Sequence, residues 1–437
     1  MTTVLKSETP TSRLFSNLEL DGNKLNHQPG SVLGSTALIA GTTIGAGILA
    51  LPAVTLPSGV LPSTALLIAV WIYTLISGFL IAQVTLNTMC SVGLPSLGLL
   101  VIIESTLGKL VARIAGGAYL FMHYAMLVAY ISQGGGILVS AVEKMWGVHN
   151  VLPAWVGTTA FTLLFGGIMY LGRDRFIAKL NNAFVAIVIA SFIGLLFLGS
   201  TQVQPSQLSF QNWSALPAAV SVMFVALFFH TIIPVITVQL EGDIRKIRQS
   251  IVIGSGIPLI MFLAWNAVIL GSVSPDVIQG ISTSKTLFDP LQTLRDGGAG
   301  EWLGVLVSVF SEFALVTSFI GFVYGLLDFF RDISPVSAKE PLNRLPLYSL
   351  ILFPPLSLST LNPSIFFAAL DYAGTFSISV LGGIIPAVIS WKQSQEQEHL
   401  NSTTQSLVPG GKITLIIMIG VALIIMMRQV IYISGLT

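Results

Sequence analysis

The chemistry open to this chain is concentrated in glycines and a few polar residues set inside apolar runs. The densest stretch is Ile39-Ala-Gly-Thr-Thr-Ile-Gly-Ala-Gly-Ile-Leu-Ala-Leu-Pro52. Gly41, Gly45 and Gly47 each lower helix stability by about 1 kcal/mol relative to alanine. Pro52 has no N–H, so the carbonyl of Ile48 loses its usual helical partner. A helix broken between Gly41 and Gly47, Ala46 included, offers bare amides, the hydroxyls of Thr42 and Thr43, and a half-helix N-terminus. That set suits a carboxylate or a small cation. The same glycines also suit close helix packing, Gly41 and Gly45 having GxxxG spacing.

A second interruption is Phe228-Phe-His-Thr-Ile-Ile-Pro234, where Pro234 frees the carbonyl of His230, with Thr231 beside it. Glu312 lies within another apolar run, ahead of Thr317 and Ser318. A carboxylate in hydrocarbon is paired, protonated or functional. Asp371, on a face with Thr375, is a second such acid. His123, Tyr130 and Gln133 share one helical face at spacings of seven and three. Bond-making chemistry has no matching constellation. The histidines His27, His123, His149, His230 and His399 are scattered without metal-ligand spacing, so neither metal nor cofactor is expected. A channel would need a repeated filter or a ring of like charge, and neither is present.

The elements that must position these residues follow from composition. Of 437 residues 53% are hydrophobic and only 9% charged, with mean hydropathy +0.85, which marks an all-α polytopic protein of the lipid bilayer. The single cysteine, Cys90, excludes an intrachain disulfide, and a net charge of +1 without a basic stripe gives no sign of a nucleic-acid partner. Residues 1–30 are polar without an apolar h-region and read as a poorly ordered cytoplasmic tail. Eleven apolar segments follow: Ser31–Ala53, Leu61–Thr88, Gly116–Val142, Pro153–Leu171, Ala183–Gly199, Leu216–Leu240, Ser250–Ser272, Leu303–Leu327, Leu345–Leu361, Ser364–Trp391 and Ile413–Ile433. Each is near the ~20 residues needed to cross a bilayer. Gly93–Arg113 reads as an interfacial helix. With the N-terminus inside, sixteen Lys and Arg fall in internal segments and three in external loops. This bias predicts a cytoplasmic N-terminus and an external C-terminus.

An odd count suggests a five-span repeat over 31–200, an inverted five-span repeat over 215–391, and a loop with an eleventh span over 392–437. The sixth span should then mirror the first, and both are interrupted. Paired interruptions at corresponding positions point to the central site of a secondary transporter.

The motifs also resemble a known family. Ala40-Gly-Thr-Thr-Ile-Gly-Ala-Gly-Ile-Leu-Ala-Leu-Pro52, Phe229-His-Thr-Ile-Ile-Pro234, Gly242-Asp-Ile-Arg-Lys-Ile-Arg248, Gly254-Ser-Gly-Ile-Pro258, Ala314-Leu-Val-Thr-Ser-Phe-Ile-Gly321, Gly325-Leu-Leu-Asp328 and Phe353-Pro-Pro355 occur in family order. The chain is similar to the hydroxy/aromatic amino acid permeases, the tyrosine-specific branch above all, within the amino acid–polyamine–organocation superfamily. The resemblance implies a LeuT-type 5+5 inverted-repeat fold with spans 1 and 6 broken. It also implies import of an aromatic amino acid by proton symport across a bacterial inner membrane.

On that reading Gly41, Thr42, Thr43, Gly45, Ala46 and Gly47 meet the substrate carboxylate, and His230 with Thr231 meets the amine. Tyr130, Gln133, Phe228, Phe229 and Phe319 are candidates around the side chain. Glu312 and His230 are the candidate proton carriers, since the fifth span has no basic residue. Thr317 and Ser318 resemble the hydroxyl ligands of a sodium site in other members of the wider fold, which keeps sodium coupling open. A sensor that binds without transporting would use the same residues.

Overall fold

The computed structural model describes residues 18–21, 24–27, 30–92, 98–148, 151–272, 301–333, 344–399, 408 and 410–435. Within the tail, β1 (Leu18–Asp21) and β2 (Lys24–His27) pair antiparallel with Leu18 opposite His27, where a poorly ordered segment was expected. Every other regular element among the described residues is a helix. α1 (Val32–Thr43) and α2 (Ala46–Thr55) form one span bent by 52°. α3 is Val60–Val92, α4 the short Leu99–Leu107, and α5 the 38-residue Lys109–Trp146. α6 (Ala154–Leu171) carries a π-helical turn at Thr162–Gly166, and α7 is Asp174–Ser200. α8 (Val220–Ala226) and α9 (Ile233–Gln239) are the halves of another interrupted span. α10 (Ile244–Ser272), α11 (Glu301–Ile333), α12 (Arg344–Leu361), α13 (Phe366–Glu396) and α14 (Gly411–Ile433) complete the chain.

Nine helices among the described residues are long and apolar enough to cross a membrane, and the bent α1–α2 pair makes ten. The expected ninth span, α12, has 18 residues but carries Arg344, three serines and the Pro354-Pro355 pair, and is not among them. The interfacial segment is shorter than expected. Only α4 is separate, because Gly108 at φ +87° ends it and α5 then starts at once.

Burial ranks the helices. In α8–α9 and α13, 72% and 78% of the most apolar window is buried, against 28% in α7 and 11% in α14. The broken span and α13 are therefore the centre, and α7 and α14 the lipid-facing rim. A second apolar cluster joins α1, α3, α9 and α10 through Ile39, Ile81, Phe229, Ile233, Ile236 and Ile251. Small residues permit close crossings: a Cβ on Gly135 would lie 2.5 Å from the Thr158 amide, fusing α5 to α6 at backbone distance.

α13 is fastened at both ends. Asp371 accepts from Gln429 Nε2 of α14 at 2.6 Å. At the other end Lys392 Nζ donates to the Thr106 carbonyl at 2.6 Å, and Gln393 bonds both Asn87 (3.1 Å) and Thr88 (3.0 Å) of α3. Between the anchors, Ala373–Ile384 is wound as a π-helix.

Candidate functional site

The break in the first span is narrower than the sequence suggests. α1 stays helical through Gly41, Thr42 and Thr43, and only Ile44 (φ −79°, ψ 103°) and Gly45 (φ −152°, ψ −149°) leave the helix before Ala46 opens α2. Both threonine hydroxyls bond back into α1: Thr43 Oγ1 donates to the Ile39 carbonyl at 2.7 Å and Thr42 Oγ1 to the same carbonyl at 2.9 Å. Their protons are therefore engaged, while the first amides of α2 lack intrahelical acceptors, as at every helix start.

The three glycines have three environments. Gly41 is exposed, with open space where a Cβ would be. A Cβ on Gly47 would lie 2.4 Å from Ala226 Cα, so this glycine lets α2 and α8 touch at backbone distance. A Cβ on Gly45 would lie 2.7 Å from Ser318 Oγ of α11 and 3.8 Å from the Tyr130 hydroxyl of α5. Close helix packing thus falls at Gly47 rather than on the Gly41–Gly45 pair that the GxxxG spacing suggests. Gly45, Tyr130 and Ser318 come from three separated stretches of sequence and converge here. The Tyr130 phenol, 1% exposed, approaches the Ser318 side chain, and its ring meets Phe322 edge-on at 5.5 Å.

The second break begins at Leu227, one residue ahead of the Phe228–Pro234 stretch. Leu227 to Phe229 are non-helical, and His230–Ile232 form one 3₁₀ turn before α9. The His230 carbonyl, which Pro234 cannot serve, accepts from the Ile233 N–H. The imidazole, 1% exposed, lies between Phe228 (4.8 Å, 22°) and Phe229 (5.1 Å, 21°). It approaches the Thr74 carbonyl, but neither ring nitrogen closes a hydrogen bond of good geometry. Phe228 and His230 both face Gly382 in the π-helical part of α13, and Phe229 packs on Gly78 of α3. Thr231 is half-buried in the turn.

The remaining expected residues spread around this centre. Phe319 is fully buried and meets Phe161 edge-on at 5.4 Å. Gln133 is half-buried one turn beyond Tyr130. Thr317 Oγ1 donates to the Ala314 carbonyl at 3.1 Å. Glu312 is half-buried on α11, about 9 Å along the axis and about 120° around it from Ser318. His123 serves packing: Nδ1 meets the Tyr119 carbonyl at 2.9 Å and the ring lies tilted by 31° against Tyr119 at 3.9 Å. Asp371 lies apart from these groups, against Gln429.

Two partners were not legible in sequence. Trp265 Nε1 of α10 donates to the Ile48 carbonyl at 2.9 Å, supplying the bond that Pro52 withholds. Ser77 of α3 donates to the carbonyl of Gly382. The orphaned Ile48 carbonyl was a signal that a donor must exist, though not of its identity. Among the described residues no three His, Cys, Asp or Glu side chains could hold a metal ion. What the arrangement can do is bind: amides, a phenol and a hydroxyl around one helix break, with a buried imidazole at the other.

A family model described as the tryptophan/tyrosine permease family matches residues 28–428. "Tyrosine-specific transport system 1" of Haemophilus influenzae is 29% identical over 401 residues, covering 90% of this chain and 95% of that protein. "Glutamine transporter 2" of Aliivibrio fischeri is 25% identical over 404 residues, covering 91% and 99%. The fold is similar to that of MhsT, solved in complex with L-phenylalanine, with TM-score 0.59 and 19% identity over 93% of this chain and 99% of that one.

Proposed function

The chain belongs to the tryptophan/tyrosine permease family of aromatic amino acid transporters, which are not enzymes, and on that premise we propose that it imports tyrosine by proton symport. It is a multi-pass membrane protein. In our reading eleven spans lie in a bacterial inner membrane as two inverted five-helix repeats plus α14, with the N-terminus cytoplasmic. The excess of Lys and Arg in alternate loops supports this orientation.

The observation that carries the site is the convergence of Gly45, Ser318 and the Tyr130 hydroxyl at the break of the first span. In our reading the substrate carboxylate takes the amides of Gly45, Ala46 and Gly47, and the amine turns toward the His230 carbonyl region. Gly41, Thr42 and Thr43 shape the approach through the end of α1, and Thr231 the second break. Tyr130, Gln133, Phe228, Phe229 and Phe319 bound the side-chain space. Aromatic contacts there would each add about 0.5–1.5 kcal/mol. Glu312 is the proton carrier in this scheme, with His230 second. A carboxyl can load on one side and unload on the other if its hydration changes with alternating access.

A second reading has its own support. Ser318 touches the break directly, and with Thr317 it would offer hydroxyls to sodium. The relative named for glutamine widens the substrate question. One experiment addresses both. Purified protein in sealed vesicles is given labelled tyrosine under a pH gradient or a sodium gradient, with each of the twenty amino acids as competitor. Accumulation under the pH gradient, competed by aromatic amino acids alone, is the expected result. Accumulation that follows sodium, competition by glutamine, or binding without accumulation would each overturn the corresponding part.

A further inference from the structure

The first span is held by a neighbour that the transport reading does not use. Ile48 is fully buried, and Pro52 leaves its carbonyl without a helical donor. A buried carbonyl in that position needs a partner. Trp265, also fully buried, provides it from α10 at 2.9 Å. The indole is itself fixed by Phe310 of α11 at 5.4 Å and Phe192 of α7 at 6.0 Å. The adjacent residue holds the far end of α2. Asn266 Oδ1 accepts from Thr55 at 2.6 Å, and its Nδ2 donates to Ser63 of α3 at 2.8 Å. α2 is thereby tied to α10 at two points two helical turns apart, Ile48 and Thr55.

The same α10 also carries the other half of the span. Ile39 fills the place of a Cβ on Gly254, at 2.8 Å, and Ser250 Oγ donates to the Val32 carbonyl at 3.4 Å. Both sides of the break at Gly45 are therefore referenced to one continuous 29-residue helix. Ile48 lies three residues after Gly45, and its amide closes the first turn of α2 onto the Gly45 carbonyl at 3.1 Å. The Trp265 bond consequently acts on the turn whose free amides face the break.

We propose that Trp265 is a positioning residue for the substrate site, its indole N–H standing in for the amide that Pro52 lacks and so setting where the first turn of α2 points. The assignment rests on the reading that the Gly45 break receives the substrate.

The test is a double-mutant cycle on the full chain, read by equilibrium binding of labelled L-tyrosine and by thermal melting in the same detergent. Trp265→Phe keeps the ring and removes the N–H. Affinity should fall by about tenfold, the scale of one lost buried hydrogen bond. Pro52→Ala restores a backbone N–H for the Ile48 carbonyl, and in that background Trp265→Phe should weaken binding by less than about twofold. Equal losses in the two backgrounds overturn the assignment. So does a lowered melting temperature with unchanged affinity, which is what a merely structural tryptophan would give. If Trp265→Phe does not fold, recovery of folded, tyrosine-binding protein in the double variant supports the assignment, and no recovery overturns it. A wild-type chain that fails to bind tyrosine overturns the site reading and this role with it, whereas a wild type that binds with an additive cycle overturns the role alone.

Discussion

Alanine placed in turn at Gly41, Gly45 and Gly47 should give three separate outcomes, because the added methyl meets different neighbours. At Gly41 no heavy atom lies within 4 Å of the new Cβ, and the residue is inside α1. The substitution should therefore stabilise the helix by up to about 1 kcal/mol and reduce uptake less than at Gly45. At Gly47 the methyl would lie 2.4 Å from Ala226 Cα and 2.5 Å from its Cβ, and neither atom can rotate away. α2 and α8 must separate, an overpacking cost of about 1–3 kcal/mol. At Gly45 the obstacle is Ser318 Oγ at 2.7 Å, the end of a small side chain that can turn aside. The turn moves the Ser318 hydroxyl away from the break, while the methyl occupies the space proposed for the carboxylate. Melting of purified protein, followed by size-exclusion chromatography after heating, should rank Gly47→Ala as the least stable. Labelled tyrosine accumulation, corrected for folded protein in the membrane, should fall most in Gly45→Ala. Equal loss of melting temperature at Gly45 and Gly47, with uptake falling in proportion, would show that both glycines only pack helices.

Three other outcomes follow from the same geometry. Tyr130→Phe removes the hydroxyl that reaches the Gly45 break and should weaken tyrosine binding by roughly fivefold to tenfold, about 1 kcal/mol, with little change in melting; a lost fold instead of lost affinity would make Tyr130 a core residue alone. Glu312→Gln should abolish accumulation driven by a pH gradient while sparing exchange of labelled for unlabelled substrate, and retained accumulation would remove Glu312 from the coupling scheme. Phe229→Ala empties fully packed space between α3, α9 and α10 and should cost about 3–5 kcal/mol in stability, so an unshifted melting curve would contradict that packing.

The membrane class and both helix interruptions were readable because their causes are local. Apolar runs of span length, Pro52 and Pro234, and clustered glycines act within a turn or two of themselves. The division of labour among Gly41, Gly45 and Gly47 was not readable. It depends on Ala226 and Ser318, which lie about 180 and 270 residues away in sequence. The threonine pair illustrates a second limit: a hydroxyl in a helix can bond its own backbone or a ligand, and Thr42 and Thr43 take the first option. Tyr130 and Ser318 were each expected at the site from their spans, and the structure adds that they approach each other. Trp265 carried no sequence signal of its own, since a tryptophan in an apolar run is ordinary core.

α13 invites a mechanical description. Its two ends are anchored to different neighbours, Gln429 of α14 near Asp371, and Thr106, Asn87 and Thr88 near Lys392 and Gln393. A rod pinned at both ends cannot follow a displacement of one anchor by sliding. It can only wind or unwind in between, and the stretch between these anchors is the π-helical Ala373–Ile384, where the hydrogen-bond ladder already runs one residue out of α-helical step. Returning part of that stretch to α-helical winding would both turn and lengthen α13 between the two anchors. α13 thus has the build of a torsion spring, its coil opposite the imidazole of His230 at Gly382.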